Sequence, residues 1–236
     1  MPGDPRLDVG RLRAIVFDLD DTLINWRSAE DGAMGDLARE HFHPLGITET
    51  DVRRVYAGVM EENFRAFRAT RQWWYVGDRL RLLVSRLGVA DRLPGDVLAE
   101  RFKARVTEHL RLLDGALPAL AAARNSGRKV GLLTNGPSLV QRPKVNAMDL
   151  EKHFHFVGIS GELGAWKPEA EAFRRALAPL GVAPHEALMV GDSLDFDLEP
   201  AKALGMQTCW VNPNGGTSPH ADVVVATPGH LVAHLE

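Results

Sequence analysis

The sequence lacks several features that would mark particular classes of protein. Only one of its 236 residues is a cysteine, Cys209, so the chain cannot form an internal disulfide. The residues before Gly10 include two prolines and two aspartates, where a secretory signal peptide would need an apolar stretch. We therefore expect a reducing environment and a cytoplasmic location.

Long apolar runs and an excess of one charge are absent as well. No window approaches the roughly 18 uncharged apolar residues that a membrane-spanning helix needs. Lysine and arginine number 28, and aspartate and glutamate number 31, so no strong field of one sign would attract nucleic acid or an anionic membrane. We expect neither partner, and the sequence leaves open whether the chain is a monomer or a homodimer.

Short apolar runs, by contrast, recur along the chain and are followed by polar or turn residues. Such runs are typical of strands that are buried on both faces of a parallel sheet. They are Ala14–Phe17, Val130–Leu133, Phe156–Ile159, Ala187–Val190, Gln207–Val211 and Val223–Val225. Helical patterns separate them, and this alternation predicts the α/β fold class, with a Rossmann-like three-layer core and a mainly parallel sheet.

Residues 25–112 follow a different pattern, because they contain three to four helical segments and no signal for a buried strand. The segments run over about 29–42, 49–69, 77–87 and 95–112. We therefore predict an all-helical domain at residues 25–112, inserted into an α/β catalytic core domain that consists of residues 1–24 and 113–236.

The first buried strand leads into a strongly acidic turn, Asp18-Leu19-Asp20-Asp21-Thr22. Two carboxylates ~4 Å apart repel each other by ~4 kcal/mol at an effective dielectric constant of about 20, so folding alone does not favour their grouping. A cation converts this repulsion into coordination, and Mg²⁺ commonly uses one or two carboxylates together with water and substrate oxygens. The turn predicts a Mg²⁺ site, and a solvated acidic loop is the alternative.

An Asp-x-Asp-x-Thr motif after a hydrophobic strand resembles the opening motif of the haloacid dehalogenase-like (HAD) hydrolase superfamily. The other three motifs of that family follow in order: Thr134-Asn135-Gly136, then Lys167-Pro168, then Gly191-Asp192 with Asp197. The resemblance covers nearly all of the chain from Arg13 onward. It implies the phosphatase branch with a helical cap of the first (C1) type, formed by the predicted helical domain.

The resemblance also implies roles for the residues of these motifs. Asp18 would be the nucleophile that forms an aspartyl-phosphate, and Asp20 would move the protons. Mg²⁺ would be held by the Asp18 carboxylate, the Asp20 backbone carbonyl and the Asp192 carboxylate. Lys167 would neutralise the transferring phosphoryl group and the Asp18 carboxylate.

Further residues are expected to bind the phosphate or to support the metal ligands. Thr134, Asn135 and Gly136 would bind the non-bridging phosphate oxygens together with Lys167, through the Thr134 hydroxyl, backbone or amide donors of Asn135, and the close approach that a glycine permits. Thr22 and Asp197 would support the metal site, and Asp195 competes with Asp197 for that role.

Asp20 favours a phosphatase that hydrolyses small phosphorylated metabolites over the alternatives in the same superfamily. A 2-haloacid dehalogenase uses the same nucleophile but lacks this acid, since a leaving halide needs no proton, whereas a phosphomutase differs mainly in shielding the aspartyl-phosphate from water. Gly191-Asp192-Ser193-Leu194 matches a signature of serine esterases, but here it stands late in the chain. A catalytically silent binding module would predict a broken motif, and the motif residues are all present.

Overall fold

The computed structural model describes residues 7–235, and within this range the chain forms two compact units. One unit comprises the described residues up to Asn25 and from Arg111 onward, and the other is Trp26–Leu110. No helix in the described range is both long enough and apolar enough to cross a bilayer. The predicted assignment of a catalytic core domain and a cap domain, with limits near residues 25 and 112, stays a prediction.

The first unit is built on a parallel sheet. Its strands are β1 (Ala14–Phe17), β2 (Lys129–Thr134), β3 (Phe156–Ile159), β4 (Ala187–Gly191), β5 (Gln207–Val211) and β6 (Val223–Val225). Within residues 7–235 they form one sheet in the order β3-β2-β1-β4-β5-β6, and each neighbouring pair is parallel. The predicted α/β fold class is confirmed, and the predicted strands lie where the apolar runs placed them.

The helices of the second unit agree with the predicted segments to within a few residues. In the second unit they are α1 (Trp26–Leu37), α2 (Glu49–Thr70), α3 (Val76–Arg86) and α4 (Gly95–His109). In the first unit they are α5 (Ala116–Asn125), α6 (Ser138–Ala147), α7 (Ser160–Leu163), α8 (Ala170–Leu177) and α9 (Glu199–Ala203). A π-helical turn at Leu194–Leu198 precedes α9, and a second one at Ala38–Phe42 extends α1.

One part of the core of the first unit lies between the sheet and α8. Every residue of β1 is buried, as the uninterrupted apolar run predicts for a central strand. On α8, Phe173 and Leu177 are four residues apart and face the same side, where they belong to one hydrophobic cluster with Val16 and Met189 of the sheet. Burying one such side chain contributes about 1.5–3 kcal/mol, so this packing stabilises the contact between α8 and the sheet.

Helix α4 is shorter than its sequence pattern suggests. We expected the segment to continue to Leu112, because Leu110 and Leu112 extend the apolar pattern, but the helix ends at His109. The Arg111 backbone N–H donates to Asn25 Oδ1 at 2.7 Å, and the Asn25 N–H donates to the Arg111 carbonyl at 3.1 Å. These long-range hydrogen bonds replace the helical ones at the point where the chain re-enters the first unit.

Candidate active site

The residues predicted for the site follow the carboxyl ends of neighbouring strands. Asp18 follows β1, Thr134 ends β2, and Asp192 follows β4. Strand β1 pairs with both β2 and β4, and parallel strands end at the same edge of a sheet. The three polar segments therefore meet at one edge, as expected.

Lys167 lies between two buried carboxylates. Its Nζ atom is 2.6 Å from Asp18 Oδ1 and 2.6 Å from Asp197 Oδ1, and its side chain is only 3% exposed. Burial lowers the pKa of Lys167, but the two carboxylates more than offset this effect, so the pKa lies above its ordinary value. The two carboxylates therefore favour the positively charged form of this buried lysine beside Asp18.

Three carboxylates form a cluster around this lysine. Oxygen atoms of Asp18, Asp192 and Asp197 all lie within 4.8 Å of one another. Burial raises the pKa of Asp18 well above its ordinary value; Lys167 opposes the rise, and the surrounding carboxylates add to it. One ammonium cannot balance three carboxylates, and carboxylate oxygens are the ligands that hard divalent cations prefer. The donor set therefore fits a metal site.

Asp197, rather than Asp195, joins this cluster. The Asp197 side chain is 1% exposed, and its Oδ2 atom accepts a hydrogen bond from the Ser193 backbone N–H at 3.1 Å, whereas Asp195 is exposed. A Cβ atom at position 191 would overlap the Asp197 carboxylate, so Gly191 leaves the space that Asp197 occupies. The structure thus brings Asp197 to the site by two local features of the same loop.

Asp20 contacts residues on α6. Lys144 Nζ lies 2.9 Å from Asp20 Oδ1 and 2.8 Å from Asp20 Oδ2, and Gln141 Nε2 lies 3.1 Å from Oδ2. The Asp20 side chain is 25% exposed, more than the Asp18 side chain at 9%. Of the two predicted catalytic aspartates, Asp18 is therefore paired with Lys167 and Asp20 with a second lysine.

The turn after β2 presents a hydroxyl group to the site. The Thr134 side chain is buried, and its Oγ1 atom accepts a hydrogen bond from Gln141 Nε2 at 2.6 Å, which leaves the hydroxyl hydrogen available as a donor. Gly136 has a φ of 148°, and a Cβ atom there would lie 2.7 Å from the Gln141 side chain. Position 136 therefore requires glycine for a backbone reason in addition to the predicted close approach of a ligand.

The Asn135 side chain forms hydrogen bonds with the loop that carries Lys167. Its Oδ1 atom accepts hydrogen bonds from the Lys167 backbone N–H at 2.9 Å and from Ser160 Oγ at 2.7 Å, and its Nδ2 atom donates to the Lys167 carbonyl at 2.8 Å. We expected backbone or amide donors of Asn135 to bind phosphate. The Oδ1 atom and one hydrogen of Nδ2 therefore already have protein partners, and we expect the backbone N–H of Asn135 to be the donor that binds phosphate.

Thr22 and Ser193 lie in the turns that follow β1 and β4, and the support of the metal site by Thr22 stays a prediction. Thr22 is fully buried in the acidic turn, and its hydroxyl has no hydrogen-bond partner among the described residues. The Ser193 hydroxyl accepts a hydrogen bond from the Phe196 backbone N–H at 3.2 Å and so caps the π-helical turn that follows. This capping contact accounts for Ser193 without the esterase chemistry that its sequence context suggested.

Three polar residues of the site were missed by the sequence analysis: Gln141, Lys144 and Ser160. Gln141 and Lys144 are three residues apart on α6, so they share one face of the helix, and both are buried together with Val145. The sequence did contain a signal for them. A helix that begins just after a site motif carries two polar residues on the face that also carries its apolar residues.

The fold and the site together define an α/β protein in which carboxylates at the strand ends contact a buried lysine from a later loop. Residues 12–205 match the family model described as haloacid dehalogenase-like hydrolase, and the chain belongs to this family. The predicted superfamily and the prediction that the chain is a hydrolase are thus confirmed.

Relatives with curated names agree with this assignment. A phosphoserine phosphatase of Thermus thermophilus is 31% identical over 85% of this chain and 89% of its own length. A glyceraldehyde 3-phosphate phosphatase of Methanopyrus kandleri is 33% identical over 84% of this chain and 82% of its own length. Both of these similar proteins are named as phosphatases.

A solved structure shows the same fold. The magnesium-bound HAD-hydrolase YfnB of Bacillus subtilis superposes with a TM-score of 0.76 at 24% identity, covering 95% of this chain and 99% of that one. The similarity extends over both units, so the α/β sheet and the helical segment each have a counterpart in a known HAD structure.

Proposed function

We propose that this hydrolase is a Mg²⁺-dependent phosphatase that hydrolyses small-molecule phosphate monoesters through an aspartyl-phosphate on Asp18. The observation that carries the proposal is the placement of Asp20. This second carboxylate follows the nucleophile by two residues and is held at the Thr134 side of the site by Gln141. An alkoxide leaving group needs a proton as its bond to phosphorus breaks, and a donor at this position can supply it. A halide leaves without a proton, so a dehalogenase does not need this donor.

In the first step a carboxylate oxygen of Asp18 attacks phosphorus, and the bond between phosphorus and the leaving oxygen breaks. Asp20 gives its proton to that oxygen. In the second step water attacks the aspartyl-phosphate, its proton passes to Asp20, and the bonding electrons return to the Asp18 carboxylate. Lys167 balances negative charge next to Asp18 in both steps, 2.6 Å from its Oδ1 atom.

The remaining residues bind rather than react. Thr134 would donate its hydroxyl hydrogen to a phosphate oxygen, and the Asn135 backbone N–H would donate to another. The Asp18 and Asp192 carboxylates with the Asp20 backbone carbonyl would hold Mg²⁺, which supplies the positive charge that lets an anionic nucleophile approach an anionic phosphate. Asp197 supports this set through its contact with Lys167.

The two curated relatives support a small substrate. Phosphoserine and glyceraldehyde 3-phosphate, which their names specify, are both small phosphorylated metabolites, but one is an amino acid and the other an aldehyde. We therefore assign the class of substrate and no single leaving group. We further propose that the helical segment 25–112 is the cap domain that the family resemblance implies.

The proposal is tested with a panel of small phosphate esters and 4-nitrophenyl phosphate, assayed for free phosphate with Mg²⁺ and with EDTA. Asp18→Asn is expected to abolish hydrolysis, and Asp20→Asn to lower kcat roughly 10²- to 10⁴-fold. Ser193→Ala is expected to keep most of the activity. Chloride release from a 2-haloacid, or an activity lost in Ser193→Ala but kept in Asp18→Asn, would overturn the proposal.

A further inference from the structure

A second lysine, separate from the one beside the nucleophile, is buried next to Asp20. Lys144 lies on α6, and 6% of the residue is exposed. Its Nζ atom contacts both oxygens of the Asp20 carboxylate, at 2.9 and 2.8 Å. Burying a lysine is costly unless a carboxylate partner and hydrogen bonds compensate for lost hydration. An apolar residue would suffice for packing α6, so the buried charge points to a role at Asp20.

Gln141 completes the contact, one turn earlier on the same helix face. Its Nε2 atom lies 3.1 Å from Asp20 Oδ2 and 2.6 Å from Thr134 Oγ1. Asp20 Oδ2 thus has two donors and Oδ1 has one, so the donors limit rotation of the carboxylate about its Cβ–Cγ bond. The same amide joins Asp20 to the hydroxyl that we assign to the phosphate.

We propose that Lys144 is a positioning residue that, together with Gln141, orients the Asp20 carboxylate to accept the proton of the water that hydrolyses the aspartyl-phosphate. This inference rests on the proposed function. Lys144 Nζ lies against both side-chain oxygens of Asp20, and these are the atoms that would take up the proton. When water attacks phosphorus, its proton passes to Asp20 while the electrons of the bond from phosphorus to oxygen return to Asp18.

The two lysines have separate tasks in this arrangement. Lys167 contacts Asp18 and Asp197, and Lys144 contacts Asp20. Loss of Lys144 therefore leaves both carboxylate contacts of Lys167 in place. A carboxylate that is misplaced by about 1 Å can lower a rate 10²-fold, so the effect of losing Lys144 is expected in the hydrolytic step.

Rapid mixing of Lys144→Met with 4-nitrophenyl phosphate and Mg²⁺ tests the proposal, because nitrophenolate leaves without needing a proton. The variant is expected to release a burst of about one nitrophenolate per site at a rate close to that of the wild type. The steady-state rate that follows is expected to fall roughly 10- to 100-fold. Acid quenching should show the phosphoenzyme accumulating.

Companion variants separate positioning from folding. Gln141→Leu is expected to show the same burst with a smaller loss of steady-state rate, and Lys144→Arg to restore part of that rate. Lys202→Met, which removes a salt bridge to Asp222 elsewhere in the same unit, is the matched control and should behave like the wild type. Melting temperatures establish that each variant is folded.

The possible outcomes are distinct. The inference is overturned if Lys144→Met turns over like the wild type, or if its burst and steady-state rates fall together without phosphoenzyme accumulating. If Lys144→Met does not fold, the burst rate, the steady-state rate and the phosphoenzyme level of Gln141→Leu are judged by the same criteria. A wild-type protein that hydrolyses no phosphate ester overturns the proposed function, and this inference with it, whereas an active wild type with an unaffected variant overturns only the inference.

Discussion

The side chain of Asn135 holds the backbone of Lys167 on both sides of its α-carbon, through a hydrogen bond from the Lys167 N–H at 2.9 Å and one to the Lys167 carbonyl at 2.8 Å. The turn after β2 thereby fixes the loop that delivers the lysine to Asp18. An asparagine amide can do this because it offers an acceptor and a donor side by side. Asn135, which the motif suggests for phosphate binding, thus also positions Lys167.

Replacing Asn135 with alanine should release this loop. We expect Asn135→Ala to lower kcat for 4-nitrophenyl phosphate roughly 10- to 100-fold, because the Lys167 ammonium loses its fixed position. Unfolding in urea should show a loss of about 1–3 kcal/mol, since backbone groups of Lys167 lose their partners.

Asn212→Ala is the matched control, because its amide also bonds backbone groups, at Gly215 and Asn214, in a surface turn. That variant should retain its full kcat. A fall in stability without any change in kcat for Asn135→Ala would limit Asn135 to a folding role.

The acidic cluster should make the metal-free protein less stable than it would be without Asp18. The pKa of Asp18 is raised in the folded state, so the native chain holds a proton where the unfolded chain has already lost it. Stability in EDTA should therefore fall as the pH rises from the ordinary value of 3.8 towards the raised folded-state pKa.

Asp18→Asn removes this charge while Lys167 keeps Asp197 as a partner. In EDTA at pH 7 the variant should melt at least about 2 °C above the wild type, and the difference should shrink at lower pH. Added Mg²⁺ should raise the melting temperature of the wild type more than that of the variant. Asp195→Asn, an exposed position outside the cluster, is the control, and an equal increase there would show a nonspecific charge effect.

The sequence predicted the elements whose determinants are local. An uninterrupted apolar run such as Ala14–Phe17 is buried on both faces, and the acids that follow it can be read directly. The α4 end could not be predicted from the helix itself, because the pairing of Asn25 with Arg111 joins residues that are far apart in sequence.

The same limit applies to the site. Asp18 and Lys167 are found by motif and order, but their 2.6 Å contact depends on Asn135, whose amide looks equally suited to a ligand. Lys144 was missed because a lysine in a helix usually faces solvent. Only the placement of α6 beside the acidic turn shows that this lysine is buried against Asp20.

Gly191 should be intolerant of any side chain. A Cβ atom there overlaps the Asp197 carboxylate, which is buried and bonded to Lys167 and to the Ser193 N–H. We expect Gly191→Ala to cost about 1–3 kcal/mol of stability through overpacking, and to raise the Mg²⁺ concentration needed for half-maximal activity.

Gly10→Ala is the control, because the nearest atom to its added Cβ is Asp8 Oδ1 at 3.8 Å, which is an ordinary contact. Titrating activity against Mg²⁺ in both variants checks the prediction. An unchanged Mg²⁺ requirement in Gly191→Ala would show that the position of Asp197 does not affect the metal site.

The helical unit contains a buried ion pair that should dominate its response to mutation. Arg79 on α3 donates to Glu30 Oε1 on α1 at 3.0 Å, and their side chains are only 11% and 13% exposed. The guanidinium also lies over the Tyr56 ring, with 5.9 Å to its centroid. Glu30→Ala leaves this positive charge without its carboxylate, so we expect a loss of roughly 3–5 kcal/mol.

The exposed pair Glu61–Arg65 on α2 provides the comparison, since its atoms are 3.9 Å apart and both side chains are largely in solvent. Glu61→Ala should change stability by less than about 0.5 kcal/mol.

The double variant Glu30→Leu with Arg79→Met removes both buried charges and should recover most of the stability lost in Glu30→Ala, because apolar residues of similar size often replace a buried pair at little cost. Urea unfolding followed by helical circular dichroism measures all three variants. If Glu30→Ala costs no more than Glu61→Ala, the buried pair is no stronger than a surface one, and Arg79 must be stabilised by other contacts such as Tyr56.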